Sequence, residues 1–202
     1  MPKITFYNLP EDKKEKLIYA IKKEFSRVPL YDASISNIVK SAEIPRGSFY
    51  QYFQDKEDAF FFLLDAIVIN NNNNFAALLR KHKGNLFDTM IDFFRFIIEE
   101  EENVHFIKNA FLNMMYKTEN SFSNIFRNRE SNDKFREIAS LINTNSLNIS
   151  NEEELIHIIQ IISTVTFRNV VEKFAKDLSK QEAMGNYMIE INLLKNGLAC
   201  KK

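Results

Sequence analysis

Hydrogen-bond donors and a glycine are interleaved with aromatic residues between positions 46 and 53. The donors and the glycine are Arg46, Gly47, Ser48, Tyr50 and Gln51. Phe49 and Phe53 are four residues apart and share one helix face, which leaves the polar residues mostly on the other faces. A helix that enters the major groove of DNA needs small residues near its N-terminus and donors for phosphates and base edges. The pattern indicates a helix that packs on one side and contacts DNA on the other. An ordinary helical hairpin with a polar surface is the alternative.

Two short helices are needed to present that polar face. Ser34 is suited to be an N-cap, because its hydroxyl can accept from a backbone N–H. The apolar residues that follow it at helical spacing are Ile35, Ile38, Val39 and Ala42. Pro45 disfavours helical geometry at Ile44 and suits the first turn of a helix. The chain is therefore predicted to bend at Glu43 and Ile44, between a helix over residues 34–42 and a second helix that runs from about Pro45 to Phe53.

The segment from about Leu17 to Leu64 resembles the DNA-binding domain of TetR-family transcriptional regulators. The residues that carry the resemblance are Ile18, Phe25, Ile38-Val39-Lys40-Ser41-Ala42, Arg46-Gly47-Ser48-Phe49-Tyr50, Tyr52-Phe53 and Asp55-Lys56-Glu57. The resemblance implies that Ser34 and Ser36 contact phosphates and that Arg46, Gly47 and Ser48 approach bases. It also implies that Tyr50, Tyr52 and Lys56 hold the DNA backbone. Gln51, on the same polar face, completes the predicted DNA-binding set.

The chain departs from the family pattern in the turn between the two helices. Glu43 stands where the family usually has glycine, and a non-glycine residue with a positive φ costs about a kcal/mol or more. Its negative charge is expected to weaken DNA binding unless Lys40 or Arg46 neutralises it. Pro29 stands near the end of the first helix, where a glycine is usual, and Tyr52 stands where histidine is common. These differences leave the fold inference intact.

Length and residue pattern predict an all-α chain of two parts. The chain has 202 residues, and its four prolines all lie within the first quarter of the sequence. Apolar residues beyond Pro45 recur at spacings of three and four rather than in alternation. We predict a three-helix, helix-turn-helix DNA-binding domain over residues 1–58 and a larger helical bundle over residues 59–202. A formal net charge of 0 does not by itself suggest a nucleic-acid partner, since the cations need only lie at the contact face.

Several kinds of site and location have no support in the sequence. Cys200 is the single cysteine, so no intramolecular disulfide is expected. No segment has the order of a signal peptide or approaches the ~18 apolar residues of a membrane span, so the protein is expected in the cytoplasm with no membrane partner. The histidines are His82, His105 and His157. They are far apart, and neither metal-ligand spacing nor a Gly-rich phosphate loop is present, so we expect no cofactor, no metal and no enzymatic activity.

The chain has 19 phenylalanines, and the second part of the chain is rich in them. Ordinary core packing is one interpretation, but a bundle with many rings and few small residues can also line an apolar cavity. The resemblance implies such a cavity, whose occupant changes DNA affinity. The residues predicted to line it are Phe94, Ile98, Phe106, Asn109, Asn113, Tyr116, Phe126, Phe167 and Arg168. The expected effector is a small apolar or aromatic molecule.

Two helices near the C-terminus carry more apolar surface than one core can bury. The first is predicted to begin with a cap at Ser150 and the second near Ser179. The residues predicted to form a dimer interface on them are Ile158, Ile162, Val165, Met184, Tyr187, Met188, Ile191 and Leu194. Packed against their symmetry mates, these helices would form a four-helix dimer interface, as the last two helices of the family do. A buried central helix in a monomer is the alternative.

Taken together, the sequence predicts a homodimeric, ligand-responsive transcriptional regulator, most often a repressor, that binds a double-stranded DNA operator. The effector signal is expected to pass through the helix that begins at Lys56. The first alternative is an apolar-ligand-binding module of the same fold without DNA-binding activity. The second is an α-helical enzyme, for which scattered His, Glu and Tyr residues speak but no spacing does.

Overall fold

The computed structural model describes residues 1–99, 105–110 and 133–198. Across these ranges the regular structure is helical and contains no β-strand, which confirms the all-α prediction. The chain divides into two compact units, one of Met1–Asn71 with Glu102–Glu119 and one of Asn72–Glu101 with Asn120–Lys202. The boundary between the two compact units, after Asn71, therefore lies later in the chain than the predicted domain boundary after residue 58. Where the DNA-binding function ends along the chain is a separate question, and that boundary stays a prediction.

The first unit is a cluster of helices around an aromatic core. Its helices are α1 (Ile4–Tyr7), α2 (Glu11–Arg27), α3 (Ile35–Ser41), α4 (Arg46–Tyr52) and the first part of α5 (Lys56–Lys81). Phe25, Phe49 and Phe53 are fully buried, as the spacing of the last two predicts. No helix is predicted before Pro10, yet α1 forms and buries Phe6 against the rings of Phe53 and Phe62.

Helix α5 passes through five consecutive asparagines, Asn70 to Asn74, without a break. The run therefore does not end the helix, although asparagine is a poor helix former. Acidic residues in the first turn and basic residues in the last turn both favour the helix dipole. The helix is followed by a turn in which Gly84 has φ 79°, and a Cβ there would lie 2.6 Å from two backbone atoms. Only glycine fits this position without strain.

The second unit is built on α6 (Leu86–Glu99), α7 (Asp133–Ser140), α8 (Glu152–Ala175) and α9 (Lys180–Leu198), with a short 3₁₀ helix at Thr144–Ser146. Helices α6, α8 and α9 pack against one another. The N-cap of α8 is Asn151 and not Ser150 as predicted, because the Asn151 side chain accepts from the Glu154 amide at 2.9 Å. Helix α9 starts at Lys180, beside the predicted Ser179, whose hydroxyl accepts from the Glu182 amide at 3.2 Å and caps the helix.

No helix in the described ranges is long and apolar enough to cross a membrane. Within the same ranges, no group of His, Cys, Asp and Glu side chains is placed to hold a metal ion.

Candidate nucleic-acid interface

Helices α3 and α4 are joined by a turn in which Glu43 adopts the left-handed conformation. Its φ is 55°, which confirms the positive φ expected where the family pattern has glycine. The Ile44 amide donates to the Val39 carbonyl at 3.0 Å and closes the end of α3. Pro45, with φ −60°, is the N-cap residue of α4, which begins at Arg46. The helix-turn-helix therefore forms with a strained residue, at a cost of about 1 kcal/mol.

The charge of Glu43 is paired with that of Lys16, a residue that the sequence pattern does not single out. Lys16 on α2 donates to the Glu43 carboxylate at 2.7 Å, and both side chains are exposed. This hydrogen bond and the charge of Lys16 lower the pKa of Glu43. The neutralising partner is therefore Lys16, not Lys40 or Arg46. The pair reduces the repulsion that an unpaired carboxylate at this position would exert on DNA.

The polar side of the N-terminal half of α4 is exposed to solvent. Arg46, Gly47 and Tyr50 are exposed and Ser48 is half-buried, while Phe49 between them is fully buried. A Cβ on Gly47 would meet no atom within 4 Å, so internal packing does not require glycine there. The Arg46 guanidinium donates to the Ser36 hydroxyl at 3.3 Å. This hydrogen bond links a predicted DNA contact on α4 to one on α3. This surface has the small residue and the donors that groove binding needs.

A buried carboxylate that sequence reasoning missed organises the start of α3. Glu24 is 4% exposed and accepts from the Ser34 amide at 2.8 Å and from Asn37 at 3.1 Å, while Arg27 binds it with two nitrogens. Burial opposes the charge, but the hydrogen bonds outweigh it and lower the pKa of Glu24. Ser34 is the N-cap residue as predicted, although its side chain makes no capping bond.

Lys56 is engaged inside the first unit. Its ammonium donates to the Tyr31 carbonyl at 2.7 Å and to the Ala33 carbonyl at 3.1 Å. These bonds hold the loop that precedes α3 against the start of α5. The predicted phosphate contact would have to use the third ammonium hydrogen. The remaining predicted DNA-binding residues, Gln51 and Tyr52, lie on the last turn of α4.

The predicted effector-site residues are spread over both compact units. Phe106 and Asn109 belong to the first unit. There Phe106 is fully buried with its ring 5.2 Å from that of Phe60, and Asn109 donates to the carbonyls of Phe25 and Ser26 at 2.9 and 3.0 Å. Asn109 thus caps the end of α2, which sequence spacing could not reveal.

The other predicted effector-site residues include Phe94, Ile98, Phe167 and Arg168, which belong to the second unit. Phe94 and Ile98 are buried, and exposed Arg168 is ion-paired with Glu172 and Glu190. Asn113, Tyr116 and Phe126 lie outside the described residues. An open groove of about 430 Å³ beside the start of α8 is lined by none of the predicted set. The effector cavity stays a prediction.

Half of the residues predicted for a dimer interface face inward. Ile158 is 4% exposed, and Ile162, Tyr187 and Ile191 are fully buried within the chain. Val165, Met184, Met188 and Leu194 are half-buried. The exposed apolar side chains on these helices are Ile161, Ile189 and Leu193, at 44%, 64% and 68%. The four buried residues are therefore closed to a second copy, while the half-buried and exposed ones are accessible, and the dimer interface stays a prediction.

The arrangement of α2, α3 and α4 with an exposed, donor-rich α4 defines the class of helix-turn-helix DNA-binding proteins. Two family profiles match the chain. Residues 17–61 match the bacterial regulatory proteins of the tetR family, and residues 85–198, more than half of the chain, match the tetracyclin repressor-like C-terminal domain. The chain belongs to the TetR family. It is accordingly a transcriptional regulator and not an enzyme.

Solved structures share the fold over nearly the whole length. A TetR-family regulator from Chloroflexus aurantiacus J-10-FL is 22% identical, with 100% of both chains covered and a TM-score of 0.54. A putative TetR-family regulator from Mesorhizobium loti is 13% identical over 94% of this chain and 98% of its own, at a TM-score of 0.66.

NalD from Pseudomonas aeruginosa is described as the secondary repressor of the MexAB-OprM multidrug efflux pump. It is 13% identical over 95% of this chain and 99% of its own, at a TM-score of 0.60. None of the curated protein sequences compared with the chain matches it.

Proposed function

We propose that this regulator binds a DNA operator as a homodimer in the cytoplasm and represses transcription until a small apolar or aromatic effector releases it. The observation that supports it most directly is α4, which buries Phe49 and exposes Arg46, Gly47 and Tyr50. A dimer places two such helices about one DNA turn apart, ~34–36 Å, and thus predicts a palindromic operator.

The proposed dimer face is a stripe along α9. Gly185, Ile189, Leu193 and Gly197 follow one another at intervals of four residues. A Cβ on either glycine would meet no atom within 4 Å, so both ends of the stripe are open to a partner helix. Ile189 and Leu193 are the most exposed large apolar side chains of α9, and burying them would stabilise a dimer by about 1.5 to 3 kcal/mol each.

Effector binding and DNA binding are proposed to be coupled through two parts of the chain. Helix α5 contributes residues to both compact units. The chain then returns from α6 to the first unit, where Phe106 packs on Phe60 and Asn109 caps α2. The dimer would have one state in which the two recognition helices fit the operator and another in which their spacing does not. An effector that binds the second state more tightly would lower operator affinity, by an amount set by the ratio of its affinities for the two states.

The test is selection of binding sites from a random duplex library by the full-length chain, followed by fluorescence anisotropy on the selected duplex. A palindromic site with strongly salt-dependent affinity is the expected result. Arg46→Met should abolish selection, with Lys13→Met as the matched control, because Lys13 is an exposed cation on α2. Recovery of no preferred sequence would favour the alternative, a ligand-binding module without DNA-binding activity.

A further inference from the structure

The last turn of α4 leaves backbone carbonyls without partners inside the helix. An α-helix has no intrahelical N–H for its last four C=O groups. In α4, the Phe49 carbonyl accepts from the Phe53 amide at 2.9 Å, after which the backbone becomes extended at Phe53. The carbonyls of Tyr50, Gln51 and Tyr52 therefore need donors from elsewhere.

The segment at residues 3–5 supplies a donor to each of them. The Lys3 ammonium donates to the Tyr50 carbonyl at 2.8 Å, and the Lys3 amide donates to the Tyr52 carbonyl at 2.8 Å. The Thr5 hydroxyl donates to the Gln51 carbonyl. The positive charge of Lys3 also lies at the negative end of the α4 dipole.

Phe6 fixes this segment to the core. It is 1% exposed, and its ring centroid lies 5.2 Å from that of Phe53 and 5.0 Å from that of Phe62. Lys3 and Thr5 are themselves exposed, so neither is placed by its own burial. Their hydrogen bonds thus connect a buried anchor to the exposed end of α4.

We propose that Lys3 and Thr5 are positioning residues for DNA recognition. They hold the backbone from which the side chains of Tyr50, Gln51 and Tyr52 branch, all three of which are predicted DNA contacts. Contact residues act only when held within about 0.5 Å of their productive geometry, and the structure that supports them sets that precision. This inference rests on the proposed function of α4 as the recognition helix.

A direct phosphate contact by Lys3 is the competing role, since its ammonium is exposed. The two roles differ in salt dependence. A phosphate contact contributes about one unit to the slope of log affinity against log salt, and affects all DNA sequences alike. A positioning residue leaves that slope unchanged and affects the selected sequence more than an unrelated one.

The first measurement needs no DNA. Hydrogen exchange of the full-length chain is compared between wild type and the Lys3→Met, Thr5→Val and double variants. The amides in the last turn of α4 should exchange faster in the double variant. Lys13→Met and Thr164→Val are matched controls, because Thr164 is an exposed threonine whose hydroxyl donates to a carbonyl of its own helix. Unchanged exchange in α4 would overturn the inference.

The second measurement uses the duplex selected by the wild-type chain and an unrelated duplex of equal length. The double variant should lose affinity for the selected duplex about fivefold per hydrogen bond removed, with a smaller loss on the unrelated duplex. Equal losses on both, with a salt slope reduced by about one for Lys3→Met, would make Lys3 a phosphate contact and overturn the inference.

The two failures can be told apart. If the wild-type chain selects no duplex, the proposed function fails and this inference with it. If selection is normal and the variants match wild type, only the positioning role fails.

Discussion

The ring of Tyr187 on α9 lies against the ring of Phe94 on α6, with the centroids 4.2 Å apart and the planes 28° from parallel. Tyr187 is fully buried, and its hydroxyl shares a hydrogen bond with Thr166 at 2.8 Å. Burial raises the pKa of Tyr187 well above its usual value. A residue predicted for the dimer interface thus joins three helices of one chain.

Removing the Tyr187 hydroxyl should lower stability without changing assembly. Tyr187→Phe should cost about 1 kcal/mol, because the buried hydrogen bond is lost while the ring stays. Tyr187→Ala should cost about 3 to 5 kcal/mol. Urea unfolding measures both, with Tyr19→Phe as the control at an exposed tyrosine. A folded, stable monomer from Tyr187→Ala would instead place this ring between subunits.

Charges on the exposed face of α9 should separate the proposed dimer. Ile189→Glu and Leu193→Glu would each bury an unpaired carboxylate in a self-complementary interface and should yield folded monomers by light scattering. Ile69→Glu is the control, since Ile69 is 60% exposed on α5. The dimer face lies elsewhere if both variants still scatter as dimers. Ile162→Glu should unfold the chain, because Ile162 is fully buried.

Lys56 should contribute to stability more than to salt-dependent DNA binding. Lys56→Met leaves the Tyr31 and Ala33 carbonyls without this donor and should destabilise the chain by about 1 to 3 kcal/mol. On the selected duplex, Arg46→Met should lower affinity by about 1 to 3 kcal/mol and relax the sequence preference, because its predicted contact is with a base. Lys56→Met should leave the slope of log affinity against log salt as it is in wild type. A reduced slope would show that Lys56 contacts a phosphate as well.

The stability of the second unit should depend on pH through Asp92. Hydrogen bonds from Lys81 and His82, with a further one from Arg95, lower its pKa to about 2. A depressed carboxyl pKa contributes stability above the unfolded value, and that contribution is lost as pH falls toward the folded value.

Asp92→Asn should therefore cost about 2 kcal/mol at pH 7, and the difference from wild type should shrink between about pH 4 and pH 2. Thermal unfolding across this range tests it, with Asp65→Asn as the control at an exposed aspartate of α5. A difference that is constant with pH would show that Asp92 acts through something other than its charge.

Features set by near neighbours could be predicted from the sequence. The resemblance implies a positive φ at Glu43, where the family usually has glycine, and the structure shows it. Phe49 and Phe53 share the buried face of the recognition segment because they are four residues apart. Helix α1 could not be predicted, since its four residues are too few to form a helix alone and depend on bonds to residues near position 50.

The sequence by itself determined the helical class, the helix-turn-helix and the family, because each depends on residue types at short, regular spacings. Only the tertiary structure decided that Lys16 pairs with Glu43, 27 positions away, and that Lys56 binds the loop before α3. It also decided that Tyr187 faces inward while Ile189 faces out. Helix α8 is apolar on nearly every side, so periodicity cannot choose its inner face. That choice depends on which side α6 and α9 cover, and packing between distant segments alone sets it.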